Sequence, residues 1–308
     1  MKSIRAFAPA TVANVCCGFD VLGFAVDAPA DEVIVSLKDQ PGVVIDKIEG
    51  DEGRLSRESQ KNTASVAVSS LLKELHSDQG VNIHLIKRLP LGSGMGSSAA
   101  SAVAALVAVN HLLGEPLTRK QLLVHAMEAE RVACGSAHAD NAAPSLMGGF
   151  VLIRSYNPLD IVPVPCKADL VCTLIHPHIE LKTLDSRRVL RQSIPLKDSI
   201  AQSGNLAALM IGLGNADYSL IARSLEDVIA EPVRSVFIPG FKTLKEKVIA
   251  SGSLGFGISG SGPTVFALSR NKDEAELSGG IAVEHFKSEG LQSEFFISGV
   301  NLKGATWG

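Results

Sequence analysis

Residues 90–101 read PLGSGMGSSAAS, with three glycines at alternate positions and then two serines, between an alternating stretch and a long apolar one. No other segment restricts the fold as strongly. A strand that enters a helix through Gly92, Gly94 and Gly96 needs a tight turn, and Ser97 and Ser98 stand where the helix begins. The first turn of a helix exposes unpaired N–H groups and about half a positive charge, which suits it to cradle a phosphate. A glycine-rich turn also serves plain strand-to-helix packing, so the segment alone does not decide. Walker A fails for want of a lysine between Lys87 and Lys120, and the dinucleotide fingerprint fails because Ser97 stands three places after Gly94. The nucleophile elbow G-x-S-x-G fails here and again at Gly257–Ser261, where Ser261 replaces the last glycine.

The flanks predict mixed α and β structure. Glu32–Leu37 and Val81–Leu85 alternate apolar and polar residues, whereas residues 62–75, 99–113 and 117–133 have helical spacing. Thr118 is a candidate N-cap, and Gly114 with Pro116 stops the helix before it. Further strands are expected at Leu170–Ile175 and Glu294–Val300, and a second glycine-rich turn, GISGSGP, at 257–263. Three prolines between Ser155 and Pro165 mark a candidate domain boundary. Strands and helices mix without a regular βαβ period, which predicts an α+β class. A chain of 308 residues allows about two domains.

Composition narrows function. With 29 Lys and Arg against 32 Asp and Glu, the net charge of -3 supplies no field for a nucleic-acid backbone, so any anion must be bound locally. Five cysteines without a C-x-x-C argue against a disulfide framework or zinc ribbon and for a reducing compartment. The spacing of Cys134 and His138 has no second ligand pair nearby to make a zinc site, and His176-Pro177-His178 reads as a solvated loop. Lys2 and Arg5 before an apolar stretch resemble a signal peptide, but Pro9, Asn14 and Asp20 interrupt it. The longest apolar run, residues 102–109, is far short of the roughly 20 needed to span a bilayer. A soluble, cytoplasmic protein without membrane or nucleic-acid partners is expected.

Three segments taken in order, APATVANVCCGFDVLG at 8–23, PLGSGMGSSAAS at 90–101 and GISGSGP at 257–263, resemble the three signature motifs of the GHMP kinases. Within that family Asn14 with Gly18-Phe19-Asp20, and His138-Ala139-Asp140-Asn141 followed by Gly148-Gly149-Phe150, are similar to the homoserine-phosphorylating branch. Segments near Thr183–Leu190 and Glu231–Arg234 match it too. The resemblance implies a two-domain fold. Its N-terminal ATP-binding domain, residues 1–158, would be like domain 2 of ribosomal protein S5, and residues 159–308 would be ferredoxin-like.

The matching positions also imply roles. Pro90, Gly92, Ser93, Gly94, Met95, Gly96, Ser97 and Ser98 would surround the ATP phosphates, with Asn62 on the adenine side and Ser98 with Glu130 holding Mg²⁺. L-Homoserine offers an ammonium for Asp20 and Asn14 and a carboxylate for the forked donors of Arg187 and Arg234. Thr183, His138 and Ser261 would complete its pocket, and a homodimer is common in the family. Where many relatives place an aspartate base this chain has Asn141, which cannot accept a proton, and Asp140 is the only local carboxylate. A loose phosphoryl-transfer transition state tolerates that loss.

The chain departs from the branch at Val15-Cys16-Cys17, where Leu-Gly-Pro is usual; if Cys16 sits at a positive φ the loop is rearranged or strained. Three other readings remain: a kinase for a mevalonate-like or sugar-like alcohol, a catalytically silent metabolite-binding relative, and a serine hydrolase using Ser98 or Ser259 with His138.

Overall fold

The structure, a computed structural model, describes residues 2–135, 137–181 and 183–308, with every side chain in those ranges except 133, 134, 183 and 184. In chain order the elements are β1 (Ser3–Ala13), β2 (Leu22–Lys38), β3 (Val43–Glu49), α1 (Thr63–Glu74), β4 (Gly80–Ile86), α2 (Ser97–Leu112), α3 (Arg119–Cys134), α4 (Ala142–Met147), β5 (Phe150–Tyr156) and β6 (Leu159–Val164). Then follow β7 (Val171–Pro177), α5 (Thr183–Arg188), α6 (Leu196–Asn215), α7 (Tyr218–Ser224), α8 (Glu231–Arg234), α9 (Phe241–Ala250), β8 (Gly255–Ile258), β9 (Val265–Ser269), α10 (Lys272–Ser288), β10 (Ser293–Gly299) and β11 (Thr306–Trp307).

Two sheets carry the molecule. The first runs β11-β1-β2-β4-β3, and the β5–β6 hairpin joins it beside the start of β2. The second is a four-stranded antiparallel sheet, β10-β7-β9-β8, with α9 and α10 on one face. This is the two-part α+β fold expected of a GHMP kinase. The stretch weighed as a signal peptide forms β1, paired to β2 along its length; the register shifts between Pro9 and Thr11, where proline has no N–H for the ladder.

α2 departs from its expected amphipathic pattern. The spacing predicts one apolar face through Ala102, Val103, Leu106 and Val109, yet residues 99–110 are buried all round. A helix apolar on every side belongs inside, and its alanines admit β1, β2, α1 and α3 at close range. Thr118 caps α3 in a reciprocal capping box with Gln121, as its sequence position predicts.

The expected division at 158/159 falls at the turn of the β5–β6 hairpin; by sheet membership the change of layer lies between Val164 and Val171. The chain also returns to its start, because β11 pairs with β1 and Val300 bridges to Val26. One apolar core runs from α2 into the second sheet at Leu174, Phe266 and Leu268. The cleft between the two glycine-rich turns is therefore braced from both sheets.

Candidate active site

β4 leads through Lys87 into the glycine loop, and α2 leaves it. Gly94 and Gly96 have φ of 86° and 72°, and each is forced by closeness as well as by conformation. A Cβ on Gly94 would lie 2.5 Å from the Ser259 carbonyl oxygen, and one on Gly96 2.2 Å from Thr11 Oγ1. The second turn is tied to this loop: Ser259 Oγ donates to Gly94 O (2.8 Å) and Thr264 N to Ser93 O (2.9 Å). Among the described residues no side chain caps α2, so its first N–H groups are left without a cap.

A cleft of about 400 Å³ opens over this surface. Gly92, Ser93, Gly94, Gly96, Ser97, Ser98 and Asn62 line it, as do Asn14, Asp20, Glu130, His138, Asn141, Arg187, Arg234 and Ser261. Two members of the expected phosphate set are elsewhere. Pro90 lines a neighbouring depression with Arg54 and Glu180, and the Met95 side chain is wholly buried, so the alternation along the loop turns it into the core. The Thr183 side chain lies outside the described residues.

Ser98 Oγ donates to Glu130 Oε1 at 2.5 Å, which brings the two expected magnesium ligands side by side on α2 and α3. Among the described residues no group of three or more His, Cys, Asp or Glu side chains could hold a metal. A hydroxyl with one carboxylate suits Mg²⁺, which takes few protein ligands and completes its shell with water and phosphate oxygens. Asn62 spends its amide on local structure: Oδ1 accepts from Ala64 N to cap α1, and Nδ2 donates to Ser56 O. Around it Leu55, Leu85 and Leu91 give this end an apolar lining that no motif announced.

Lys87 is also a residue that sequence reasoning missed. Buried beneath the loop, it pairs with Asp31 and donates to Ser97 O (2.9 Å) and Ser101 Oγ (2.7 Å). Burial lowers its pKa while Asp31 works the other way. A single lysine in a strand carries no motif, and only its depth in the fold reveals it.

At the far end of the cleft the expected substrate groups engage one another. Arg187 grips Asp20 with both terminal nitrogens, at 2.8 and 3.1 Å, so the residues assigned to the carboxylate and the ammonium are paired. Burial works against the Arg187 charge, but Asp20 outweighs it and the pKa is raised. Arg234, buried, donates to Gly260 O and Ser186 O and lies over the Phe19 ring. Asn14 holds Gly260 O with its amide nitrogen and accepts from Asp20 N, so it orients Asp20. His138 lies 3.8 Å from Asp20; burial lowers its pKa and both arginines add to that, while Asp20 works the other way. Asp140 is buried in the same wall, and burial with the Asp20 charge raises its pKa to about 7.

The loop carrying these groups is conformationally costly. Asn14, Val15 and Cys16 all have positive φ, at 73°, 44° and 56°, which the Cys16 position anticipated and Val15 did not. L-residues there cost roughly 1–2 kcal/mol each. Gly260 N donates to Ala13 O, and Gln202 donates to Cys17 O, bracing the loop from the second half of the chain. Cys16 and Cys17 are buried free thiols, the latter pushed up to about 12 by burial, which makes them structural. His176 is not in a solvated loop: it lies within β7, is buried against Thr264, and burial lowers its pKa to about 4.

A glycine-lined anion cradle facing a charged pocket across a two-sheet fold is the architecture of a small-molecule kinase. Residues 62–149 match the GHMP kinases N terminal domain and residues 206–277 the GHMP kinases C terminal domain, and the chain belongs to the GHMP kinase family, whose members use ATP. It is 51% identical to the homoserine kinase of Chlorobium phaeobacteroides over 100% of this chain and 96% of that one. To the homoserine kinase of Chlorobium phaeovibrioides it is 49% identical, with the same coverage. The crystal structure of homoserine kinase from Cytophaga hutchinsonii superposes with a TM-score of 0.96 at 51% identity, covering 100% of this chain and 98% of that one. Within the family, the chain falls among the homoserine kinases. Mevalonate kinase of L. major, at 16% identity and a TM-score of 0.72, shares the fold.

Proposed function

We propose that the protein transfers the γ-phosphoryl group of ATP to the hydroxyl of L-homoserine, giving O-phospho-L-homoserine for threonine biosynthesis in the cytoplasm. The supporting observation is the juxtaposition of two guanidinium groups and a carboxylate, Arg187, Arg234 and Asp20, with the glycine loop in one cleft. A mevalonate-like or sugar-like acceptor has no ammonium for Asp20. ATP phosphates lie along Gly92–Ser98, and the adenine lies toward Asn62 and its leucines. Ser98 and Glu130 would hold Mg²⁺, and such an ion would supply charge neutralisation for the phosphoryl oxygens.

L-Homoserine enters as a zwitterion and exchanges partners with the Asp20–Arg187 pair. Its ammonium takes Asp20, held in place by Asn14, and its carboxylate takes Arg187 and Arg234, so no buried charge is left alone. His138, Thr183 and Ser261 add hydrogen bonds. Asn141 orients the alcohol, and positioning with charge stabilisation supplies most of the rate. The proton leaves late, to the phosphoryl group. A second reading is favoured by one observation: Asp140, with a pKa of about 7, is suited to act as general base, worth roughly 10²–10⁴-fold. Turnover that collapses in Asp140→Asn but survives in Asn141→Asp selects that reading; survival of Asp140→Asn excludes it.

A homodimer belongs to the same proposal. On α6 Leu196, Ile200, Ala207 and Ile211 form an exposed stripe, with Leu196 76% and Ile200 63% accessible. Their spacing is symmetric about Ser203 and Gly204. An antiparallel second copy places Leu196 against Ile211 and Ile200 against Ala207, the self-complementarity of a two-fold interface. Sedimentation of Ile200→Glu as a monomer beside a dimeric parent supports it, and equal sedimentation refutes it.

The experiment for the function itself is coupled ATP consumption with L-homoserine, L-threonine, mevalonate and galactose. Stimulation by L-homoserine alone is the expected outcome. Strong stimulation by mevalonate or galactose moves the substrate class, and none by any acceptor leaves a silent binding protein.

A further inference from the structure

We propose that Thr11 is a positioning residue for phosphoryl transfer, whose hydroxyl fixes the Asn141 amide so that its NH₂ group, not its carbonyl oxygen, faces the cleft. The nature of the acceptor rests on the function proposed above; the orientation of the amide does not. Thr11 is wholly buried on β1, beside the register shift. Its N–H donates to Met95 O at 3.1 Å, which fastens the strand to the glycine loop, and its Oγ1 donates to Asn141 Oδ1 at 2.8 Å. Asn141 precedes α4 but makes no side-chain capping bond, so the helix does not consume its amide. Both partners press on the same glycine: a Cβ on Gly96 would meet Thr11 Oγ1 at 2.2 Å and Asn141 Oδ1 at 2.9 Å.

The two orientations of an asparagine amide are nearly equal in shape, so a neighbour must choose between them. Thr11 chooses because of its proton. Among the described residues its hydroxyl makes no other hydrogen bond. Were the amide reversed, Thr11 would accept from NH₂ and its own proton would be buried without an acceptor, an unfavourable state. With Oδ1 held, the NH₂ protons face the cleft as donors only. They bind a lone pair of the alcohol or of a phosphoryl oxygen and take no proton, so Asn141 aligns the nucleophile while its O–H stays free to deprotonate elsewhere.

The test combines Thr11→Val, which keeps the shape and loses the hydroxyl, and Thr11→Ser, which keeps the hydroxyl, each in the parent and in Asn141→Ala. In the parent, Thr11→Val lowers kcat about 10- to 100-fold with both KM values within about 3-fold, and Thr11→Ser restores most of the loss. In Asn141→Ala, Thr11→Val changes kcat less than about 2-fold, because neighbours that act as a unit are not additive. Equal losses in both backgrounds, or a Ser variant as poor as Val, overturn the proposal. The side-chain ¹⁵N–H₂ resonances of Asn141 supply a readout independent of turnover. They shift in Thr11→Val and stay close to the parent positions in Thr11→Ser if the bond exists, and equal shifts in the two variants overturn it. Thr11→Ala serves in place of Thr11→Val if the latter does not fold, and absence of homoserine-dependent turnover in the parent would refute the function while leaving this measurement decisive for Thr11.

Discussion

The two ends of the cleft are built by opposite means. At the phosphate end one contiguous segment, residues 91–98, offers bare backbone and a helix start, and the buried cation Lys87 is neutralised from behind by Asp31. At the other end Asn14, Asp20, His138, Asp140, Arg187 and Arg234 come from widely separated parts of the chain and offer charge, of which Asp20 and Arg187 are paired within the pocket while Arg234 rests on the carbonyl oxygens of Gly260 and Ser186. A backbone cradle tolerates no side chain but needs no counter-ion, whereas a charged pocket tolerates neighbours but must keep each charge partnered until the ligand arrives. The first is sensitive to shape and the second to electrostatics.

The largest effect should follow from spoiling shape. Gly96→Ala combines a φ of 72° with a steric overlap against Thr11, so it should lower stability by about 3 kcal/mol or more and abolish measurable ATP turnover. Thermal unfolding with ATP titration checks this, and a stable, active variant would mean that the loop is not a close-packed cradle.

Next comes charge. Arg187→Ala and Arg234→Ala should each raise the homoserine KM about 100-fold, with the ATP KM within about 3-fold, since a buried charge-assisted pair is worth several kcal/mol when one partner is removed. Equal effects on both substrates would erase the division between the two ends.

A smaller effect concerns pH. The folded protein holds a proton on Asp140 up to about pH 7, whereas an unfolded aspartate releases it near 4. The folded state therefore binds more protons in that window, and stability falls as pH rises through it, by roughly 2–3 kcal/mol between pH 5 and pH 8. Denaturant unfolding at pH 5 and pH 8 should show Asp140→Asn abolishing this fall.

The smallest is Cys16→Gly. Relief of a left-handed φ and loss of a buried thiol should nearly cancel, leaving stability within about 1 kcal/mol, as chemical denaturation would show.

The same contrast explains what the amino-acid sequence could reveal. The glycine loop was legible because its requirement is local: alternate glycines, then serines, between a strand and a helix. The boundaries of β4, α1 and α3 followed from period, and Thr118 stands at the predicted N-cap, whereas the capping role of Asn62 was not foreseen. β1 was obscured because a strand buried on both faces shows no alternation and contains Pro9. At the charged end, resemblance supplied the residue types but not their pairing. Nothing at positions 20 and 187 foretells a mutual grip across 167 residues, nor that Asn14 is spent on Gly260. Lys87 and Thr11 were invisible for the same reason: each acts through a long-range contact with the loop or its neighbour.

The most direct test of a charged pocket that recognises an amino acid is to remove each charge from the substrate instead of the protein. Initial rates of ATP consumption would be compared for L-homoserine, 4-hydroxybutanoate, which lacks the ammonium, and 3-aminopropan-1-ol, which lacks the carboxylate. Turnover with L-homoserine and a loss in kcat/KM of at least about 100-fold with each analogue is the expected result. Comparable rates with either analogue would contradict the assignment of Asp20, Arg187 and Arg234 to the two ends of the substrate.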